Sequence, residues 1–286
     1  GVILMVVGFA LGGLRDLGRG LLGQGRGRRA HGSVFLGGEW GLAWRLTRGP
    51  ILGWGIAIFV MAAAFGSVMG QMEDFIMSNP LYQAMIGVGA DATDIVAPLL
   101  VTLMLITATM AAIPVLTTAH KLASEERLGR MDYLLGKTVS RWRLFLGYGI
   151  LVVLVAVAMQ LLAAVGYWMV AATIMTDPLP ASMVFKIALN AVPALIVVGG
   201  LAFFLVGWAK QLTWINWGYL GLSFLMVYVG GMLNLPRWAM RITPFGMLQR
   251  WPQEDFSLIL WLGMIAVGAV LAVLGATAYR RRDIIN

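Results

Sequence analysis

Six apolar runs, each long enough to cross a bilayer as a helix, decide what this chain can fold into. They occupy 51–69, 95–118, 144–175, 187–209, 212–233 and 256–279. None alternates apolar with polar residues, as the strands of a transmembrane barrel would. A water-soluble domain could not hide 60% hydrophobic residues behind only 12% charged ones. The expected fold is therefore all-α, a polytopic membrane bundle of six transmembrane helices. The third run exceeds the hydrocarbon thickness and is expected to tilt or to project into water. Pro114 and Pro193 fall inside runs, where a kink is tolerated if neighbours re-satisfy the freed carbonyls.

Charge assigns the sides. If the N-terminal segment is cytoplasmic, then 14–50, 119–143, 210–211 and 280–286 are internal and hold 17 of the 21 Lys and Arg residues. The other side holds Lys186, Arg237, Arg241 and Arg250, together with the acids Glu73, Asp74, Asp91, Asp94, Asp177, Glu254 and Asp255. This is a positive-inside pattern, with both ends of the sequence cytoplasmic. It accounts for the net charge of +8 without any nucleic-acid partner. Cysteine is absent, which excludes disulfides, thiolate metal sites and cysteine nucleophiles.

The chain opens with "GVILMVVGFALGGL", 14 residues that are too few to span and that lack the features of a signal peptide. Aligning Arg15-Asp16-Leu17 on Arg282-Asp283-Ile284 also aligns Gly8 on Gly275. Residues 1–14 are thus expected to be the end of a transmembrane helix from a preceding repeat. Residues 15–38, rich in Gly and Arg, read as a cytoplasmic linker. Residues 39–286 form the six-span domain. At its start Trp40, Ala43, Trp44 and Thr47 share a helical face, with Arg45 and Arg48 able to reach headgroups. That pattern predicts an interfacial elbow helix, broken from the first span at Gly49-Pro50.

Between the second and third runs lies "SEERLGRMDYLLGKTVSRWR". Its Gly136-Lys137-Thr138 imitates the end of a nucleotide-binding loop, which needs a glycine five positions before its second glycine and a preceding strand. Met131 stands where that glycine would be, and no strand precedes it. The segment reads instead as an amphipathic helix. Ser124 is placed to cap it, with Glu125 and Glu126 in its first turn, and Arg127 follows them. Leu128, Met131, Leu134 and Leu135 form its apolar stripe, and Gly136 ends it. Such a helix either rests on headgroups or docks on a cytoplasmic partner.

The residues 124–147 resemble the corresponding segment of type-two ATP-binding-cassette (ABC) exporter permeases, with acids, Gly-Arg, an aliphatic cluster and Val-Ser-Arg in that order. "LAWRLTRGPILGW", "RDLGRGLL" and "ITPF" resemble parts of the second half of the subgroup that exports polyketide antibiotics. Lys137 and Thr138 depart from that pattern. The resemblance implies that 124–136 is a cytoplasmic coupling helix seated in a cleft of a separate ATPase subunit. Glu125, Glu126, Arg127, Leu128, Met131, Leu134 and Leu135 would carry the contact. It implies as partners ABC ATPase subunits, the other permease half and membrane lipids. ATP and Mg would sit on the ATPase, with no cofactor on this chain.

The spans themselves offer no chemistry. No ionisable residue lies deep in any run, which disfavours ion-coupled transport and intramembrane hydrolysis. Two distant histidines, His31 and His120, do not make a metal site. Gln160, Asn190 and Asn216 are the strongest polar groups at depth and are expected to bond between helices. The expected function is a bacterial plasma-membrane permease subunit that exports a hydrophobic or amphipathic compound (a drug, antibiotic, lipid or peptide). The alternative is a non-transporting scaffold or sensor that docks a cytoplasmic partner.

The charge count makes a direct prediction, and the cysteine-free background makes it clean to test. Cysteines at Ser78 or Gln253 will react with an impermeant thiol reagent on sealed cells; cysteines at Ser33 or Ser124 will not. Labelling at Ser124→Cys would reverse the orientation.

Overall fold

A computed structural model of the chain describes residues 39–78, 92–127, 141–176, 178–230, 233 and 236–281. The expected stub at 1–14 and linker at 15–38 lie outside the described residues. The helices are α1 (Glu39–Ser78), α2 (Ala92–Arg127), α3 (Arg141–Ile174), α4 (Ala181–Leu189) and α5 (Val192–Trp208), then α6 (Ile215–Val229), α7 (Arg237–Met240) and α8 (Leu258–Arg281). A short 3-10 turn, Lys210–Leu212, precedes α6. Among the described residues there is no strand. Six stretches are long and apolar enough to span: Ala43–Met72, Val96–Glu126, Trp142–Ile174, Ala181–Trp208, Lys210–Val229 and Leu258–Arg281. The protein is an all-α, multi-pass membrane bundle.

Its burial pattern is that of a protein solvated by lipid. On α8, Met264, Gly268, Gly275, Ala276 and Tyr279 form one buried stripe. Leu258, Ile259, Leu260, Leu262, Val267, Val270 and Val273 on the same helix are exposed. In water that much exposed aliphatic surface would drive association, whereas acyl chains solvate it without penalty. The spans Val96–Glu126 and Ala181–Trp208, 61% buried against 17% for the last two, form the centre. α1 packs chiefly on α3, and α8 chiefly on α5.

Both of these pairs bring spans of the same direction together through glycine. A Cβ on Gly166 would lie 2.5 Å from the Phe59 carbonyl oxygen, and one on Gly66 would lie 2.6 Å from that of Tyr167. Along α5 and α8 the approach is closer. A Cβ on Gly200 would run into the carbonyl of Gly268, and one on Gly207 into that of Gly275. The contacts advance in step along both helices, so the pair is parallel.

Local structure departs from expectation in three places and bears out one further reading. No separate elbow exists: α1 runs unbroken through Gly49 and Pro50. The buried stripe Ala43, Thr47, Ile51, Ile58, Ala62 and Met69 continues across the proline, so packing holds the helix where the isolated dipeptide would end it. The second helix does not stop near residue 118 but continues to Arg127, through Ser124, which therefore caps nothing. Pro193 falls inside a span, as expected: it lies within Ala181–Trp208. The helix is interrupted just before it by a turn at Asn190–Ala191, so that Pro193 is the second residue of α5, where its missing N–H costs little. The fifth span opens with the 3-10 turn before α6.

Segment 236–257 is built into one end of the bundle. Thr243 and Phe245 are fully buried there. Tyr219 Oη donates to the Ile242 carbonyl at 2.9 Å, and Asn190 Nδ2 to the Gln249 carbonyl at 2.7 Å.

The glycine contacts predict a sharp positional contrast. Gly275→Val should lower unfolding stability by about 1–3 kcal/mol through overpacking against α5. Gly263→Ala, one helix face away with nothing within 4 Å, should be neutral or slightly stabilising. Thermal unfolding of the detergent-solubilised proteins checks this; equal behaviour would mean the two helices separate freely.

Candidate coupling site

The C-terminal end of α2 gathers the polar groups at the end of the bundle that the charge count places in the cytoplasm. Leu122 and Ala123 are buried, so the last turns of α2 are packed against the bundle. Glu125 and Glu126 follow directly on the same helix. Two lysines face them. Lys121 Nζ lies 2.9 Å from Glu125 Oε1, one helical turn back. Lys210 Nζ, in the turn before α6, lies 3.3 Å from Glu126 Oε1. Both carboxylates are largely removed from solvent, with side chains 6% and 10% exposed. Their pairing is thus a condition of their burial.

Beside them Asn216 Nδ2 lies 2.8 Å from His120 Nε2, and the Trp217 indole stands edge-on to the His120 ring at 6.1 Å. Thr213 Oγ1 donates to the Lys210 carbonyl, which ties the turn to the start of α6. The cluster connects α2 to the turn before α6 through the Glu126–Lys210 pair, and to α6 itself through the His120–Asn216 hydrogen bond. Displacing the end of α2 would displace that turn.

Of the seven residues expected to form the coupling contact, Glu125 and Glu126 are brought together here, facing internal lysines. Arg127 is the last residue of α2. Leu128, Met131, Leu134 and Leu135 lie outside the described residues. Of the four elbow residues, Trp40, Trp44, Arg45 and Arg48 all belong to α1; Trp44, Arg45 and Arg48 are exposed. Their face is divided, since Ala43 and Thr47 are buried while Trp44 is not. Thr47 Oγ1 donates back to the Ala43 carbonyl at 2.7 Å, which satisfies its hydroxyl inside the helix.

The deep polar groups behave differently from one another. Asn190 and Asn216 bond across elements. Gln160 is fully buried, and among the described residues its amide has no hydrogen-bond partner. The reading of the sequence missed both lysine partners. The Lys121–Glu125 spacing of four was there to be read. The Glu126–Lys210 pair, 84 residues apart, left no local signal.

The family model described as the multidrug efflux system permease Rv1217c, C-terminal domain, matches residues 36–280. The chain belongs to this permease family. The matched residues take in every described helix except the final residue of α8. The permease domain is also similar to the multidrug efflux system permease protein Rv1217c of Mycobacterium tuberculosis (strain ATCC 25618 / H37Rv). The two are 27% identical over 290 residues, covering 99% of this chain and 52% of the relative. The permease domain thus spans about half the length of that relative. Family membership agrees with the resemblance of residues 124–147 to ABC exporter permeases.

The buried ion pair yields a double-mutant test of the permease domain. Glu126→Gln and Lys210→Met should each destabilise the fold, and a cycle should return a coupling of about 1–3 kcal/mol. Independent, additive effects would show that the pair does not join α2 to the turn.

Proposed function

We propose that this chain is the membrane-embedded permease portion of a bacterial exporter, which moves a hydrophobic or amphipathic compound across the plasma membrane. Energy comes from ATP bound and hydrolysed on a separate ATPase subunit, and this chain has no catalytic or nucleotide site of its own. The observation that carries the reading is the family match over residues 36–280, whose description is that of a multidrug efflux permease. Residues 124–136 receive the ATPase on the cytoplasmic side, where both ends of the sequence also lie. The last turns of α2 pass the movement through Glu126 and Lys210 to the turn before α6.

The fifth span supports a path between this domain and a second permease half. Lys210–Val229 has a mean hydropathy of 1.3, against 2.1–2.5 for the other five, yet only 17% of it is buried. A helix facing lipid all round would be the most apolar in the bundle. This one presents exposed Trp214, Trp217, Leu225 and Tyr228. A mixed aromatic and aliphatic surface of that kind suits an amphipathic cargo or the facing half, and not a sugar or an inorganic ion.

The coupling assignment is tested by Leu134→Ala with Leu135→Ala. Removing several buried methylenes, at about 0.8 kcal/mol each, should weaken ATPase docking by roughly 2–4 kcal/mol. Substrate-stimulated hydrolysis should fall while the permease reaches the membrane in normal amount. Wild-type coupling in the double variant would reduce the segment to a loop resting on headgroups.

A further inference from the structure

The fourth span is interrupted at Asn190–Ala191, about 14 Å along the stretch that starts at Ala181. Irregular backbone at that depth persists only where protein buries it or a cavity borders it, and in carriers interrupted spans border binding sites. Here Asn190 and Ala191 line a cavity of about 330 Å³. It lies between α2, the C-terminal ends of α4 and α6, and segment 236–257. A second cavity, shared by Lys186, Asn190 and Trp251, adjoins it.

The walls select a class of ligand. Val101, Met104, Leu105, Ile187, Met226 and Phe245 supply apolar surface. Several polar side chains on the lining are already committed to the protein. Thr102 Oγ1 donates to the Pro98 carbonyl at 3.2 Å, one helical turn back. Asn190 Nδ2 donates to the Gln249 carbonyl. Gln249 Nε2 donates to the Ser257 carbonyl, and its Oε1 accepts from the Ser257 N–H. Tyr228 and Arg250 also line the cavity and are exposed. A ligand rich in hydroxyls would lose more hydrogen bonds to water than these walls restore. A compound with an apolar body and at most one polar end loses few.

Volume sets the size. An apolar cavity of about 150 Å³ holds benzene, so one of roughly twice that volume takes two or three rings. Met104, Met226 and Met240 are unbranched and polarizable, which lets the walls adapt to ligands of different outline. Tyr228 belongs both to this lining and to the exposed α6 surface suited to an amphipathic cargo, so the two regions meet at that residue.

We propose that this cavity is a binding site for the exported compound, selective for compact, ring-bearing molecules poor in hydrogen-bonding groups. The identity of the occupant rests on the reading of the chain as an export permease. The site and its preference rest on the walls alone.

Fluorescence titration of the full chain with 1-aminoanthracene, a neutral three-ring probe, tests the site. In nanodiscs the probe should bind saturably, above the uptake of empty nanodiscs. Camphor should displace it, and isosorbide, similar in size but richer in hydrogen-bonding groups, should not. Val101→Phe and Val227→Phe extend into the cavity, and each should weaken binding roughly tenfold while thermal unfolding is preserved. Val267→Phe, at an exposed position on α8, should leave binding unchanged. Uptake no greater than that of empty nanodiscs, or equal displacement by both competitors, would overturn the site, and neither comparison needs a variant. Undiminished binding by both folded, filled variants would place the probe elsewhere and overturn it too. Binding in detergent that vanishes in nanodiscs would assign the cavity to an acyl chain and overturn the cargo assignment. In the assembled exporter the probe should stimulate ATP hydrolysis, and less so in the filled variants. Binding without stimulation would leave the cavity standing and count against the export reading. Stimulation that survives filling would keep that reading and overturn this site.

Discussion

Helices in a bilayer gain nothing by hiding apolar side chains from lipid, so this bundle depends on how closely its backbones can approach. Gly200 and Gly207 of α5 meet Gly268 and Gly275 of α8. Gly66 of α1 and Gly166 of α3 make the equivalent approach on the other side. Each contact replaces a lipid-filled gap with direct van der Waals contact along a parallel pair. The outermost helices, α1 and α8, are held chiefly by these seams, and their remaining surface is left to lipid. The central position of α2 and α5 follows, because both have neighbours on most sides.

That centre places the two chemically distinct ends. At one, α2 carries two largely buried carboxylates, and Lys121 and Lys210 face them. At the other, segment 236–257 is pinned by buried Phe245 and by the Asn190–Gln249 bond, and it roofs cavities that bundle packing alone would leave open. Within the proposed export cycle, the first end receives mechanical input.

The membrane class and the six spans were legible because they rest on composition and run length, which tertiary contacts do not alter. The family resemblance of 124–147 was legible from residue order alone. The elbow was misread for a definite reason. Gly49-Pro50 is a strong local breaker, but the stripe from Ala43 to Met69 is buried along its whole length, and packing overrode the local preference. Ser124 was misread similarly: acids after a serine look like a helix start, yet here Ser124, Glu125 and Glu126 continue α2, and Lys121 and Lys210 pair with the acids. Pro193 was read correctly as lying inside a span, and the helix is interrupted just before it at Asn190–Ala191.

By itself, the sequence determined that this protein lives in a bilayer, and it set the expectations that its basic loops face the cytoplasm and that its Gly-Lys-Thr does not grip a nucleotide. These follow from hydrophobic length, charge distribution and a missing glycine, all countable along one dimension. Only the tertiary structure decided which glycines touch, that Glu126 pairs with Lys210, and that Lys186, Asn190 and Trp251 share one cavity. Those relations join residues tens of positions apart through spans whose apolar faces look alike in sequence. Backbone approach, not hydropathy, selects which faces meet.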